Sequence, residues 1–190
     1  MNKNQQIIIA SAAGLSLVAT VVIICLFYKR MKQSIMGTIT DNYFSDKELY
    51  ASNTAKKNNI DNTPDEAAWK NLHALRDNVL NPARKEYGSC IYVNVAYRCP
   101  ALNALVGGSS TSQHQKGCAA DITTKSKEGN QKLFAILMKM NNYDQLIWEG
   151  QGSWIHVSYD PQRDRQMVLA QNADGKTYRN IKNDWENQIA

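Results

Sequence analysis

His114 and Asp121 stand seven residues apart in SSTSQHQKGCAADITTK, residues 109–125 of a chain that has three histidines. An imidazole nitrogen and a carboxylate oxygen are both zinc donors, and a catalytic zinc takes three such side chains while one position stays open. His156, in Trp154-Ile155-His156-Val157-Ser158, is the third candidate. Gly117 permits a sharp reversal, and Ala119 and Ala120 permit close backbone packing, so the loop can bring His114 back over Asp121. Each residue also has an ordinary reading. A histidine in an apolar strand is commonly a satisfied core or surface residue, and an aspartate before Ile-Thr-Thr can cap a turn. His73, in Lys70-Asn71-Leu72-His73-Ala74-Leu75, has no acid or histidine at a useful spacing and reads as an ordinary helix residue.

These side chains need elements to position them. Ser45 with Glu48 three residues on forms a capping-box pattern for a short helix. Thr63 as N-cap and Pro64 at the first helical position predict a longer one. It carries Trp69, Leu72, Leu75, Val79 and Leu80 on one face, kinks near Pro82 and ends by Gly88. Cys90–Tyr97 is β-branched and aromatic and predicts a strand. Pro100–Val106 predicts a short helix closed by Gly107-Gly108. Ala119–Thr123 predicts a strand and Leu133–Met140 a buried helix. Gln145–Trp148 with Trp154–Ser158 predicts one hairpin, and Arg165–Gln171 with Lys176–Ile181 another, turning at Asn172–Gly175. Helices first and strands later imply an α+β fold, a small antiparallel sheet with flanking helices.

The chain has 190 residues, 43% hydrophobic and 21% charged, which are globular values. The formal charge of +5 is moderate and its lysines and arginines are scattered, so no nucleic-acid partner is expected. Ile7–Tyr28 carries no charge and has the length of a bilayer-crossing helix. Tyr28-Lys29-Arg30-Met31-Lys32 follows it instead of a small-x-small cleavage site, which predicts an uncleaved membrane anchor. Lys29, Arg30 and Lys32 outweigh Lys3, and the positive-inside rule alone would keep the following domain in the cytoplasm. The expected organisation is an anchor over residues 1–30, a linker over 31–42, a domain over 43–182 and a tail over 183–190. Cys90, Cys99 and Cys118 lie outside the anchor and show no Cys-x-x-Cys spacing, so no structural zinc knuckle is expected.

Ser112-x-His114-x-x-Gly117-x-Ala119-x-Asp121 resembles the signature of the zinc D-alanyl-D-alanine carboxypeptidase family, which includes L-alanyl-D-glutamate endopeptidases and many phage lysins. Three more stretches resemble that family in the same order. Tyr97-Arg98-Cys99-Pro100-Ala101-Leu102-Asn103 is similar to its YRSPxLN element, with Cys99 where serine is usual. Trp154–Ser158 is similar to its last-ligand strand, and Ser52–Pro64 to the lead-in of its phage-type branch. The resemblance spans about Tyr43 to Tyr178.

What the resemblance implies is a zinc peptidase with a mononuclear site, His114, Asp121 and His156 as ligands, acting on D-residue-containing stem peptides of peptidoglycan. Arg98 would bind the substrate's carboxylate or polarised carbonyl, a task suited to its planar, permanently charged fork. Ser112 would add a hydrogen bond near the substrate. Several relatives carry the general base three residues before the last histidine, where this chain has Ser153. Hairpin geometry offers a replacement. A loop of Gly150-Gln151-Gly152-Ser153 sets Glu149 opposite Trp154 and Ile147 opposite His156, so Glu149 and His156 share a face. A loop one residue longer would turn Glu149 away. Glu149 is therefore the candidate base, and Trp148 and Trp154 are candidate groove residues. The alternative is a module that binds zinc and cell wall without turnover. A wall peptidase must also reach its substrate, which predicts a single-pass protein of the cytoplasmic membrane with its domain outside, against the local Lys/Arg count. Cys99 and Cys118 flank the site loop and are a candidate disulfide in that compartment.

Overall fold

The structure, a computed structural model, describes residues 41–190. The expected anchor, with its membrane span over residues 7–28, lies outside the described residues, and among those described no helix is long and apolar enough to cross a membrane. Helix α1 (Asp46–Tyr50) starts on the expected capping box: the Ser45 backbone N–H donates to Glu48 at 2.8 Å while the Ser45 hydroxyl caps the Glu48 N–H. Helix α2 (Asn53–Lys57) is capped by Ser52. Helix α3 (Glu66–Leu75) is capped by Asp65, whose carboxylate accepts from the Ala68 N–H at 2.7 Å, and not by the expected Thr63. A carboxylate is the better acceptor at the positive end of a helix, and the Thr63 N–H is itself engaged by Asp61.

A π-helical turn, Arg76–Leu80, joins α3 to α4 (Asn81–Tyr87) and is the expected irregularity before Pro82. Proline lacks the N–H that would bond to the Asn78 carbonyl; the Asn142 side chain donates to that carbonyl instead, at 3.0 Å. Strand β1 (Tyr92–Val95) leads to α5 (Pro100–Leu105), then to β2 (Ala119–Thr123). Helix α6 (Lys127–Met140) begins earlier than its apolar run because Ser126 caps it. Strands β3 (Gln145–Glu149), β4 (Trp154–Ser158), β5 (Met167–Gln171) and β6 (Tyr178–Asn180) follow, then α7 (Trp185–Gln188).

The six strands form one sheet in the order β1-β2-β4-β3-β5-β6. The α+β class stands, but the sheet is not wholly antiparallel, because β5 runs parallel to β3. The chain leaves β4, passes the start of β3 and returns on its far side. Buried Asp144, just before β3, secures that return: its carboxylate accepts from the Arg165 N–H, Nε and Nη2 at 3.1, 2.8 and 2.6 Å. Its carbonyl accepts from the Met167 N–H at 3.0 Å, which sets the first residue of β5. A pairing this dependent on a distant carboxylate leaves no mark on local periodicity.

Strand alternation divides the sheet into two faces. Ala120, Ile122, Ile155, Val157, Leu146, Val168 and Ala170 are buried in a core shared with Leu72, Leu75, Leu80, Leu133, Phe134 and Leu137. Trp148 belongs to this core, packing edge-on to Phe134 at 5.7 Å between ring centroids, so it does not line a groove. The intervening residues, among them Asp121, Ile147, Glu149 and His156, line the cavity on the other face. The residues expected as a tail are packed rather than loose. Ile189 is buried, Trp185 lies against Phe134, and Gln131 donates to the Ile189 carbonyl at 2.7 Å.

Candidate active site

The face opposite the core opens into a cavity of about 710 Å³ whose lining includes Arg98, Ser112, His114, Asp121, Glu149 and His156. All six candidate residues therefore meet in one place, brought from five separate stretches of chain.

His114 sits on a short 3-10 turn, Gln113–Lys116, that ends at Gly117 with φ +70°. A side chain at Gly117 would be strained and its Cβ would overlap the Ala68 carbonyl oxygen, so glycine is required twice over. The turn buries His114, whose Nδ1 lies 2.7 Å from the Ala96 carbonyl oxygen. A carbonyl can only accept, so Nδ1 donates to it and Nε2 is the nitrogen that faces the site. That Nε2 is 3.3 Å from Asp121 Oδ1.

Asp121 and His156 are direct partners in the β2–β4 ladder, and His156 Nδ1 lies 2.9 Å from the same Asp121 oxygen. The two imidazoles meet edge to face, 5.1 Å between centroids. Burial alone would raise the Asp121 carboxyl, but His114 and then His156 outweigh it and hold the group well below the usual carboxylate range. An ionised carboxylate and two imidazoles, each offering one donor atom within 4.8 Å of the others, can hold a metal ion; among the described residues no other such trio converges. The donor chemistry fits zinc, and the His114 N–H held by a backbone carbonyl is the support that ligating histidines usually have. His73, by contrast, pairs with Asp46 on the outer side of α3.

Glu149 lies where the hairpin argument places it. The ladder pairs Glu149 with Trp154 and Ile147 with His156, across the link Gly150–Ser153. The link closes tightly because Gly150 has φ +56° and any Cβ there would overlap the Trp154 ring. The Ser153 hydroxyl donates back to the Gly150 carbonyl at 2.7 Å, so the position that holds the base in several relatives serves the turn here. Trp154, the other groove candidate, does line the cavity, and its Nε1–H donates to Glu149 Oε2 at 2.7 Å. The Tyr178 hydroxyl donates to Glu149 Oε1 at 2.9 Å. Partial burial and then the Glu149 charge push the Tyr178 phenol up to about 12.

Arg98 follows β1 on a segment held by Asn62, whose side chain donates to the Tyr50 and Tyr97 carbonyls and accepts from the Cys99 N–H at 2.7 Å. Its Nη2 is 3.4 Å from Ser112 Oγ, its Nε is buried without a partner, and among the described residues no carboxylate pairs with it. An arginine so placed in a cavity wall is free to take an anion. The candidate Cys99–Cys118 bridge is not formed. Cys90, Cys99 and Cys118 are all free thiols, Cys99 Sγ accepting from the Leu102 N–H to cap α5 and Cys118 turning to the Lys116 carbonyl.

The sequence assigned no role at the site to Tyr178, Asn62 or Asp144. The Asn62 side chain acts across 35 residues, and Tyr178 reaches Glu149 across 29.

A family model for Peptidase M15 matches residues 42–158, from just before α1 to the last residue of β4. No curated protein matches the chain.

Proposed function

The chain belongs to the Peptidase M15 family, a zinc-dependent group of peptidases, and from that premise we propose that it hydrolyses peptide bonds next to D-amino acids in peptidoglycan stem peptides. The observation that carries the reading is the convergence of His114, Asp121 and His156 in a cavity that also holds Glu149 and Arg98. These three would hold the zinc, which when bound supplies an acidified water and a polarised scissile carbonyl. Glu149 takes the proton of the attacking water and returns one to the departing amine. Arg98 grips the peptide's carboxylate or offsets charge developing on the carbonyl oxygen, and Ser112 steadies the guanidinium through their hydrogen bond.

The proposal covers both a terminal cut and an internal one, and product analysis separates them. Purified peptidoglycan and defined muropeptides are incubated with the protein, with and without a zinc chelator, and the products are weighed by mass spectrometry. Loss of a terminal D-alanine assigns a carboxypeptidase, and a new internal end assigns an endopeptidase. No product from folded, zinc-loaded protein overturns the enzyme reading and leaves the non-hydrolytic wall-binding module.

The substrate also sets a topology. Peptidoglycan lies outside the cytoplasmic membrane, so the proposal places the span over residues 7–28 as a signal anchor with the domain outside, against the charge of Lys29, Arg30 and Lys32. A reporter fused after Ala190 that is active only in the cytoplasm would contradict it.

A further inference from the structure

The family match ends at Ser158, yet the cavity wall does not. Beyond it, Leu169, Gln171 and Tyr178 on β5 and β6 also line the cavity. Tyr178 pairs with Gln171 across these two strands, and the Gln171 side chain in turn accepts from the Gly150 N–H at 3.0 Å. Trp154, Glu149, Gln171 and Tyr178 thus form one connected row, with Glu149 near its centre.

We propose that Tyr178 is a positioning residue for Glu149, so that the β5–β6 hairpin completes the active site. The inference rests on the reading of Glu149 as general base. A glutamate side chain rotates about three bonds, and the β3–β4 hairpin alone supplies a donor to only one of its oxygens, from Trp154. Trp154 holds Oε2 and Tyr178 holds Oε1, one donor to each. A carboxylate has about four acceptor sites, so this clamp fixes the carboxylate plane and leaves about two sites for a water or leaving group. What the clamp supplies is placement, on which proton transfer depends steeply.

The test compares the full chain with Tyr178→Phe and Glu149→Gln on a muropeptide that the wild type cleaves. Tyr178→Phe removes one oxygen from a ring that is 45% exposed, and an unchanged thermal midpoint verifies the fold. The expected result is a fall in kcat of about tenfold, the worth of one hydrogen bond to a charged group, with KM changed less than about twofold. Selective 13C labelling of the tyrosines supplies a second readout: the Tyr178 phenol, up at about 12, moves down towards its ordinary value in Glu149→Gln. A kcat within twofold of wild type in Tyr178→Phe, while Glu149→Gln is inactive, overturns the inference and leaves the base reading intact. A Glu149→Gln variant that retains wild-type kcat overturns the base reading and the inference with it.

Discussion

Asp121 and His156 face each other across adjacent strands, and one Asp121 oxygen lies 2.9 Å from His156 and 3.3 Å from His114. A single carboxylate oxygen thus bridges two imidazoles that come from a turn and a strand, 42 residues apart by 156 − 114. Removing either strand residue dismantles the trio. For His156→Ala, zinc affinity falls by more than the ~100-fold that loss of a mere supporting partner can cost, as measured by competition with a chromophoric chelator. Retained stoichiometric zinc would show that the ion binds elsewhere.

Gly117 has two reasons to be glycine, a left-handed backbone and the Ala68 carbonyl against it. Gly117→Ala is therefore expected to destabilise the fold by about 2 kcal/mol or more and to displace His114. Denaturant titration measures the first effect and zinc affinity the second. An alanine variant as stable as wild type contradicts the packing described.

How much of this was readable beforehand depended on range. The Gln145–Ser158 hairpin followed from alternation, a local quantity, while the shared face of Glu149 and His156 depended on which of two loop lengths held, and the four-residue link is the one found. The His114–Gly117–Asp121 geometry followed from glycine and alanine at fixed offsets. The parallel pairing of β5 with β3 was invisible, since it depends on Asp144 gripping Arg165 from 21 residues away. Trp148 and Trp154 look alike in sequence. Only the register sends Trp148 into the core and Trp154 to the cavity. Tyr178 could not be chosen from nine tyrosines without the sheet order.

Asp144 is the test of that long-range clamp. Its burial alone would raise the carboxyl, but the Arg165 hydrogen bonds outweigh this and lower it. A lowered folded value means that its stabilisation is present above the unfolded value, about 3.9, and is lost as pH falls through the folded one. Asp144→Asn is expected to cost about 3 kcal/mol near neutral pH and to flatten the loss of stability below about pH 4. Chemical denaturation over a pH series reads both. An unchanged acid limb would remove Asp144 from the account.

The thiols should separate by reactivity. Burial, and next Asp160, push the Cys118 thiol up to about 11, while Cys90 is exposed. At pH 8, native protein is expected to modify quickly at Cys90 and at Cys118 only after unfolding, with peptide mapping to assign the sites. Rapid native labelling of Cys118 would contradict its described burial.

The central claim is that one zinc, held by His114, Asp121 and His156, makes this chain a peptidase. The most direct measurement strips the protein with chelator and titrates zinc back while hydrolysis of a defined muropeptide is followed. The account predicts no hydrolysis at the start, and a rise that stops at about one ion per chain, absent in His156→Ala. Hydrolysis that survives stripping, or that zinc restores equally in His156→Ala, would contradict it.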